Sequence, residues 1–410
     1  MSTQVAIELR NITKTFGSVV ANKDVNLTVS KGEILSILGE NGSGKTTLMN
    51  MISGIYFPDH GQIFVDGKEV VIRSPKDAFD LKIGMIHQHF KLVDVFSATE
   101  NIVLGFDDGK YNLKKSRAKI QAILDKYGFE LDLNKKIYQM SVSEKQTVEI
   151  VKVLYRGADI LILDEPTSRL DPIAAYEFCQ TLARINREFG TTIIISEHRF
   201  EEVLPISDRV VVMDKGRIVA IDTPDKIGYD LLKENNPMFD AMPPNFKVFY
   251  SINDDNEQRA PVTVKDAREW LLDEMQRRNM NRVSINKSDD RVEDNSSPVI
   301  EAKGVWFRYT QSGADVLRDL SFKVKRGEFY AILGGNGAGK STAVSVLCGI
   351  NRPYRGKVKT AGGTNVALLP QNPQTLFSHK TVMLCLKDAA KATFDKDKFS
   401  DKAEYASAID

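Results

Sequence analysis

The sequence has few features that would place it inside a membrane, on a secretory route or on a polyanion. No apolar run reaches the roughly 18 residues needed to span a bilayer. The first residues, MSTQVAIELRN, have no basic region followed by an apolar core, so we expect no secretory signal. The formal net charge of the 410 residues is only +1, which gives no electrostatic reason to expect nucleic acid as a partner. We therefore expect a cytoplasmic protein that deals with a membrane only through partners.

Cysteine is also scarce, and its distribution argues against a metal site or a disulfide framework. The three cysteines, Cys179, Cys348 and Cys385, are scattered along the chain without metal-ligand spacing. We interpret them as small buried hydrophobic residues in a reducing compartment. The apolar fraction of 42% and the charged fraction of 27% are those of an ordinary soluble globular protein, long enough for two domains.

An internal repeat organises the chain. Residues 8–65 align with residues 301–358, and NLTVSKGEILSILGENGSGKTTLMNMISGI matches SFKVKRGEFYAILGGNGAGKSTAVSVLCGI. A period of about 295 residues is too long for a solenoid and indicates two homologous domains in tandem. We predict a complete domain over residues 1–228, a linker or extension over 229–297, and a partial second domain over 298–410.

Alternating patterns predict an α/β fold for the first domain, with a mostly parallel sheet covered on both faces. In each copy, an apolar strand should lead into a glycine-rich loop and then a helix. The segment 97–150 is rich in helix formers and predicts a helical insertion. The predicted strands of the first copy are 33–38, 83–86, 159–163, 191–195 and 209–213, and the predicted helices are 45–54, 143–156, 172–188 and 199–205. A further helix is predicted over 264–278, followed by the polar run NKSDDRVEDNSSP.

The pattern G-x-x-x-x-G-K-[ST] occurs twice, each time between a predicted strand and a predicted helix. Glycines at these positions let backbone N–H groups turn towards phosphate oxygens at a helix N-terminus. Lys45 would reach the β- and γ-phosphates, and the Thr46 hydroxyl would ligate Mg²⁺. The predicted nucleotide-binding residues are Gly39, Asn41, Gly42, Ser43, Gly44, Lys45, Thr46 and Thr47 in the first loop, and Gly334, Asn336, Gly337, Gly339, Lys340, Ser341 and Thr342 in the second.

Acidic and polar residues follow three other predicted strands of the first copy. Asp164 ends the apolar run ILILD and is placed to hold Mg²⁺, while Glu165 would orient or deprotonate the attacking water. Gln88 could bridge the metal and that water, and His198 could donate a hydrogen bond at the γ-phosphate. The alternatives are a solvated Asp-Glu pair and a capping or core histidine. His87 and His89 are interpreted as loop residues.

In this order, the motifs resemble the nucleotide-binding domain of ATP-binding cassette (ABC) proteins, in full over residues 4–225 and in part over 299–390. The resemblance implies a P-loop NTPase fold, ATP and Mg²⁺ as ligands, and integral membrane subunits as partners at the inner face of the cell membrane. It also implies two domains closed head to tail around two ATP molecules. By position, Phe16 and Tyr309 resemble the adenine-stacking aromatic, although a lone aromatic at a strand end, such as Phe16, is more often a core residue. Gln88 and Gln371 resemble the coupling glutamine, and SRLD at 168–171 the loop between domains.

Two departures from the family pattern affect the expected activity. The usual LSGGQ signature reads MSVSE at 140–144, so Ser141 keeps its hydroxyl while Val142 and Ser143 replace both glycines. The second copy reaches Asp410 without a signature, an Asp-Glu strand end or a counterpart of His198. We expect the first site to bind Mg-ATP and to hydrolyse it slowly unless another domain or chain supplies a signature.

The resemblance also changes along the chain. Residues 83–168 look like the ATPases of simple-sugar and nucleoside importers, and the sequence from about residue 164 on looks like those of energy-coupling-factor importers. A fused or misassembled gene is one hypothesis for this change, and re-sequencing codons 155–180 would test it. The function expected is the ATPase subunit of a bacterial importer. The alternatives are a nucleotide-binding subunit impaired in hydrolysis, an incomplete gene product, and a soluble ribosome-associated ABC protein.

Overall fold

The structure is a computed structural model that describes residues 4–88, 90–105, 113–253, 259–279, 297–362, 364 and 366–393. The chain divides into two compact units, Met1–Ile285 and Asn286–Asp410. The described residues include no helix that is both long enough and apolar enough to cross a bilayer.

Within the described part of the first unit, ten strands form two sheets. An antiparallel sheet has the order β2-β1-β4-β5, and a second, mostly parallel sheet has the order β10-β9-β3-β8-β7-β6. The strands are β1 (Val5–Phe16), β2 (Val19–Ser30), β3 (Ile34–Leu38), β4 (His60–Val65), β5 (Lys68–Val70), β6 (Ile83–Ile86), β7 (Ile160–Asp164), β8 (Thr192–Glu197), β9 (Arg209–Asp214) and β10 (Arg217–Asp222).

Helices cover both faces of the second sheet, as the alternating pattern predicted. They are α1 (Lys45–Ile52), α2 (Pro75–Asp80), α3 (Ala98–Val103), α4 (Leu113–Tyr127), α5 (Val142–Tyr155), α6 (Pro172–Phe189), α7 (Phe200–Val203), α8 (Ile227–Lys233), α9 (Pro244–Ile252) and α10 (Val264–Arg277). Strands β3, β7 and β8 are buried along their whole length, because apolar side chains on both faces of these strands pack under helices. The five strands predicted for the first copy are confirmed.

The predicted helical insertion is confirmed as a layer with its own core. Helices α3, α4 and α5 bury a separate apolar cluster that includes Ile102, Leu124 and Val148. Helix α3 begins at a capping box in which Ser97 accepts from the Glu100 N–H and Glu100 accepts from the Ser97 N–H. This layer therefore has a core distinct from the clusters that cover the sheet.

The segment predicted as a linker or extension is folded onto the first unit over most of its described part. Phe246 and Phe249 of α9 are 0% and 1% exposed and belong to the same cluster as Leu231 of α8. Helix α10, predicted over 264–278, is confirmed. The compact unit therefore extends past the boundary predicted at residue 228, while most of the polar run at 286–298 lies outside the described residues.

The second unit repeats the front of the first. Its sheet has the order β12-β11-β13, and a small cluster that includes Val305, Phe307 and Val346 forms its core. The elements are β11 (Ile300–Phe307), β12 (Leu317–Val324), α11 (Lys340–Leu347), β13 (Arg355–Thr360) and α12 (Val382–Thr393).

The prediction of a strand in front of the second glycine-rich loop is wrong. Residues 328–335 form no strand, and the side chains of Phe329 and Leu333 are 98% and 89% exposed. In the first unit the equivalent strand, β3, pairs with β8 and β9, which come from much later in the chain. The described part of the second unit has no counterpart of β8 or β9, so the backbone N–H and C=O groups of 328–335 have no strand to pair with.

We predict that Phe246→Ala destabilises the first unit by about 3–5 kcal/mol, because it removes a fully buried aromatic ring from the cluster shared with α8. Val248→Ala, at a 42% exposed position of the same helix, is the matched control and should change the stability by about 0.5 kcal/mol or less. Urea unfolding followed by Trp270 fluorescence in a Trp306→Phe background would report on this unit alone. Equal stability of the two variants would contradict the packing of α9.

Hydrogen exchange should separate the two apolar segments that precede the glycine-rich loops. We predict that peptides covering Ile34–Leu38 are protected by at least about 10³-fold, whereas those covering 328–335 exchange like unstructured chain. Peptides from β11 serve as the control, since this strand is paired on both sides within the second unit. Protection of 328–335 equal to that of β11 would contradict the unpaired conformation.

Candidate functional site

The first glycine-rich loop connects β3 to α1 and depends on Gly44. This glycine has φ 101°, and a Cβ atom there would lie 2.4 Å from the Ala21 carbonyl oxygen and 2.8 Å from the Asn22 Nδ2. The Asn22 side chain donates to the Gly44 carbonyl at 3.3 Å. Only glycine therefore fits where the loop crosses β2, immediately before the first helical residue, Lys45.

Lys45 is 3% exposed and is held by the loop itself. Its Nζ donates to the carbonyl oxygens of Gly39 at 2.7 Å and Glu40 at 3.1 Å, and lies 3.9 Å from a carboxylate oxygen of Glu165. Burial lowers the pKa of Lys45, and the nearby carboxylates of Glu165 and Asp164 oppose that shift. The ammonium group is thus fixed beside the loop that the sequence assigns to phosphate.

Asp164 is placed by the register of two parallel strands. Its partner across the β7–β8 ladder is Ser196, whose hydroxyl donates to the Asp164 Oδ1 at 2.6 Å. The Thr46 hydroxyl donates to the same oxygen at 3.1 Å. A hydroxyl and a carboxylate at this spacing are hard oxygen donors of the kind that Mg²⁺ prefers, so the residues present fit a magnesium ion.

Glu165 follows in a constrained turn. It has φ 44°, in the left-handed region that is unusual for a residue with a side chain, and it is 8% exposed. Its N–H donates to Ser196, its carbonyl oxygen accepts from the Ser168 hydroxyl at 2.8 Å, and its Oε2 accepts from the Gln88 Nε2 at 2.7 Å. These contacts fix the direction of the carboxylate.

The loop, the acidic residue and Gln88 enclose one cavity of about 510 Å³. The Ser43 hydroxyl in its wall is buried without a protein partner, as expected of a group that would meet a ligand. The lining residues are Val19, Val20, Ala21, Asn41, Gly42, Ser43, Gly44, Lys45, Thr46, Thr47, Gln88 and Glu165. The structure therefore brings most of the residues predicted for the first site together.

Phe16, His198 and Ser141 do not line this cavity. Phe16 ends β1, is 43% exposed and packs edge-on against Tyr56 at 5.1 Å between ring centroids. His198 follows β8, with 41% of its side chain exposed. Ser141 is the N-cap of α5 in a capping box with Glu144, so its hydroxyl accepts from the Glu144 N–H. Burial lowers the pKa of His87 in the loop after β6, and His89 lies outside the described residues.

The second glycine-rich loop has the local conformation of the first with less cover. Gly337 and Gly339 have φ 81° and 88°, close to the 85° and 101° of their counterparts in the first loop. The Lys340 Nζ donates to the carbonyl oxygens of Gly334 at 2.7 Å and Gly335 at 2.8 Å, but this side chain is only half-buried.

The remaining residues predicted for the second loop lie mostly at the surface. The Tyr309 hydroxyl shares a hydrogen bond of 2.9 Å with the Thr342 hydroxyl. Asn336 and Ser341 are exposed, as is Gln371 ahead of the short 3₁₀ turn Pro373–Leu376. The structure therefore places Tyr309 against the loop as a hydrogen-bonding neighbour.

The residues of β8 that support the acids were not predicted from the sequence. Ser196 contacts both Asp164 and Glu165, and Glu197 accepts from the N–H and the hydroxyl of Thr167 at 2.8 and 2.7 Å. Burial raises the pKa of Glu197 to about 7, an effect that Glu202 and Glu165 add to and that the Thr167 hydrogen bonds oppose. A parallel β7–β8 register would have indicated Ser196, whereas nothing local indicates the contact between Glu197 and Thr167.

Comparisons with known proteins agree with this geometry. A family model described as "ABC transporter" matches residues 22–168 and 317–406. The chain is 36% identical over 371 residues to the guanosine import ATP-binding protein NupO of Bacillus subtilis, covering 90% of this chain and 64% of that protein. It is 34% identical to the nucleoside import ATP-binding protein NupA of Lactococcus lactis, covering 88% and 63%. It thus spans slightly less than two thirds of the length of these relatives.

A solved structure with a similar fold is that of cbiO1 from Clostridium perfringens, described as part of the ABC transporter complex cbiONQ. It is 28% identical with a TM-score of 0.51, and the match covers 60% of this chain and 99% of that one. The likeness is therefore to part of this chain and to nearly all of that one.

We predict that Ser196→Ala lowers the free energy of unfolding by about 1.5–3 kcal/mol, because the lost hydroxyl donates to a buried carboxylate. Ser36→Ala is the matched control, since the Ser36 hydroxyl is equally buried but bonds only the neutral Ser207 hydroxyl, and it should cost about 0.5–1.5 kcal/mol. Urea unfolding would measure both. A cost for Ser196→Ala no larger than that for Ser36→Ala would argue against its role in holding Asp164.

Proposed function

Since the chain belongs to the ABC transporter family, we propose that it is the ATP-binding and ATP-hydrolysing subunit of a bacterial importer. It would couple hydrolysis to solute uptake through integral membrane subunits, as a cytoplasmic protein bound at the inner face of the membrane. The relatives named for import support this role. Those named above are named for guanosine and nucleosides, and other relatives are named for glucose and ribose import, so we propose a nucleoside or a sugar as the solute.

The observation that carries the proposal is the convergence of three strand ends on one cavity. The loop after β3 contributes Lys45 and Thr46, the end of β7 contributes Asp164 and Glu165, and the end of β6 contributes Gln88. Ligands of open α/β sheets bind at the carboxyl ends of the strands. The backbone N–H groups at the start of α1 and the buried Lys45 ammonium suit a phosphate chain.

Each of these side chains has a role set by its position. Thr46 and Asp164 would hold Mg²⁺ through oxygen atoms, with Gln88 as a further ligand, and the ion would neutralise phosphate charge when bound. Lys45 would move its hydrogen bonds from the loop carbonyls to phosphate oxygens. Glu165, held by Gln88, would accept a proton from the attacking water at a carboxylate oxygen.

Turnover is proposed to need a partner domain that supplies a signature segment. The altered signature of this chain supports that need, because the Ser141 hydroxyl is engaged in its helix cap and Val142 and Ser143 carry Cβ atoms where the family pattern has glycine. The same observation favours one second candidate, a nucleotide-binding subunit impaired in hydrolysis.

Two variants should separate binding from hydrolysis. We predict that Glu165→Gln leaves Mg-ATP affinity within about twofold and lowers turnover by about 10²–10⁴-fold, since it removes only the base. Lys45→Ala should weaken binding at this site by about 10–100-fold, since it removes charge-assisted hydrogen bonds. Fluorescent ATP titration and phosphate release would be measured on the purified chain, alone and with membrane subunits.

Glu234→Gln, at an exposed acid of the same unit, is the control and should change neither quantity. Turnover that is unaffected by Glu165→Gln would contradict the ATPase proposal. Normal binding with no turnover in any complex would favour the impaired subunit.

A further inference from the structure

Glu197 is a buried acid near two residues that are proposed to act at the γ-phosphate, Glu165 and His198. It is the last residue of β8 and is 0% exposed. The residue before it, Ser196, supports Asp164 and Glu165, and the residue after it is His198. A buried carboxyl group is costly unless it is hydrogen-bonded or neutral, so its surroundings need an explanation.

The two oxygens of this carboxyl group differ in their contacts. Oε1 accepts two hydrogen bonds from Thr167, in the turn that follows Glu165. Oε2 is buried without a hydrogen-bond partner, and the nearest ring nitrogen is the Nδ1 of His198 at 3.9 Å. That distance is beyond hydrogen-bond length, so a hydrogen bond between the two groups requires the exposed imidazole to move towards Oε2.

Charged groups on neighbouring elements surround Glu197. Glu165 at the end of β7 and Glu202 on α7 disfavour a second negative charge there. Lys45 on α1 is the nearby cation, and the Cys179 thiol on α6, whose pKa burial raises to about 12, stays neutral. With the pKa of Glu197 raised to about 7, its carboxyl group becomes mainly protonated below about pH 7.

We propose that Glu197 is a positioning residue that shares one proton with the Nδ1 of His198, so that the Nε2 of His198 keeps its hydrogen as a donor. This inference rests on the proposed function, in which His198 donates to the γ-phosphate. The hydrogen bond made by one ring nitrogen decides which nitrogen is protonated. The Thr167 hydrogen bonds would also link this pair to the turn that carries Glu165.

The proton balance is simple. In one form Glu197 is neutral and donates from Oε2 to a bare Nδ1; in the other, the same proton sits on Nδ1 and Glu197 is a carboxylate. The Nε2–H is present in both forms. When the shared proton is lost at higher pH, the carboxylate favours the tautomer with hydrogen on Nδ1, and Nε2 becomes an acceptor that would meet phosphate oxygens unfavourably.

The first test reads the tautomer and does not need catalysis. Ring ¹⁵N resonances would be recorded from pH 6 to 9 in full-length protein labelled at its five histidines, with His198 assigned by His198→Gln. We expect hydrogen on Nε2 at pH 6 and a switch towards Nδ1–H above about pH 7. In Glu197→Gln, whose amide can donate to Nδ1 as the neutral acid does, Nε2–H should persist to pH 9.

Two comparisons complete this test. Glu197→Met, which cannot donate, should show mixed tautomers wherever the ring is neutral, whereas Glu201→Gln, at an exposed acid of α7, should behave like the parent protein. A parent protein whose Nε2 already lacks its hydrogen at pH 6 would overturn the proposal, as would identical spectra for Glu197→Gln and Glu197→Met. If Glu197→Met does not fold, the spectrum of the parent protein is sufficient to test the proposal.

The second test uses turnover in the complex with membrane subunits. The parent kcat should fall above about pH 7, Glu197→Gln should remove that fall, and Glu197→Met should lower kcat by about 10-fold with ATP affinity unchanged. An alkaline fall that is the same in Glu197→Gln and the parent would overturn the proposal. A complex without turnover would count against the proposed function, and the tautomer spectra would still judge the role of Glu197.

Discussion

The parallel pairing of β3 with β8 on one side and β9 on the other holds the proposed nucleotide site together. Leu38, the last residue of β3, lies opposite Glu197 of β8 and Val212 of β9. One strand further, Asp164 lies opposite Ser196. Because the carboxyl ends of parallel strands meet at one edge of a sheet, the glycine-rich loop, the acidic residues and Glu197 converge there.

In the second unit, the glycine-rich loop keeps its conformation although the segment before it is not paired in a sheet. Gly337 and Gly339 have backbone conformations close to those of the first loop. Lys340 donates to two carbonyls of its own loop that are equivalent to those bonded by Lys45. The loop geometry is therefore local. Burial is not local, because Lys45 is 3% exposed under its neighbours whereas Lys340 is half-buried beside a segment whose Phe329 is almost fully exposed.

The same distinction explains what the sequence could predict. Short apolar runs with helical patterns between them indicated the parallel sheet, and the glycine-lysine pattern indicated the loop, because both depend on local spacing. The strand before the second glycine-rich loop was predicted by the same apolar pattern and is not formed. A pattern reports that a segment can be buried, and only the remainder of a domain decides whether strands are present to pair with it.

Two further features could not be predicted from local sequence patterns, because they depend on the tertiary structure. The segment 229–297 was predicted as a linker or extension, but it contains α9, whose first residue is Pro244, a position where a missing N–H costs nothing. The apolar face that follows could be assigned to the first core only from the tertiary structure. Glu197 was passed over because a carboxylate next to a histidine is ordinary in sequence, and its complete burial and its contact with Thr167 come from the fold.

Charged side chains are buried at this edge of the sheet, and hydrogen bonds offset the free-energy cost of removing them from water. Lys45, Asp164 and Glu165 are each less than 10% exposed, and a lone buried charge would cost several kcal/mol. Each is offset by named donors or acceptors: the loop carbonyls for Lys45, the hydroxyls of Thr46 and Ser196 for Asp164, and Gln88 for Glu165. All of these partners project from strand ends or from the helix that β3 leads into. A site of this kind can therefore exist only where the central strand is paired, which ties the chemistry of the loop to the completeness of the sheet behind it.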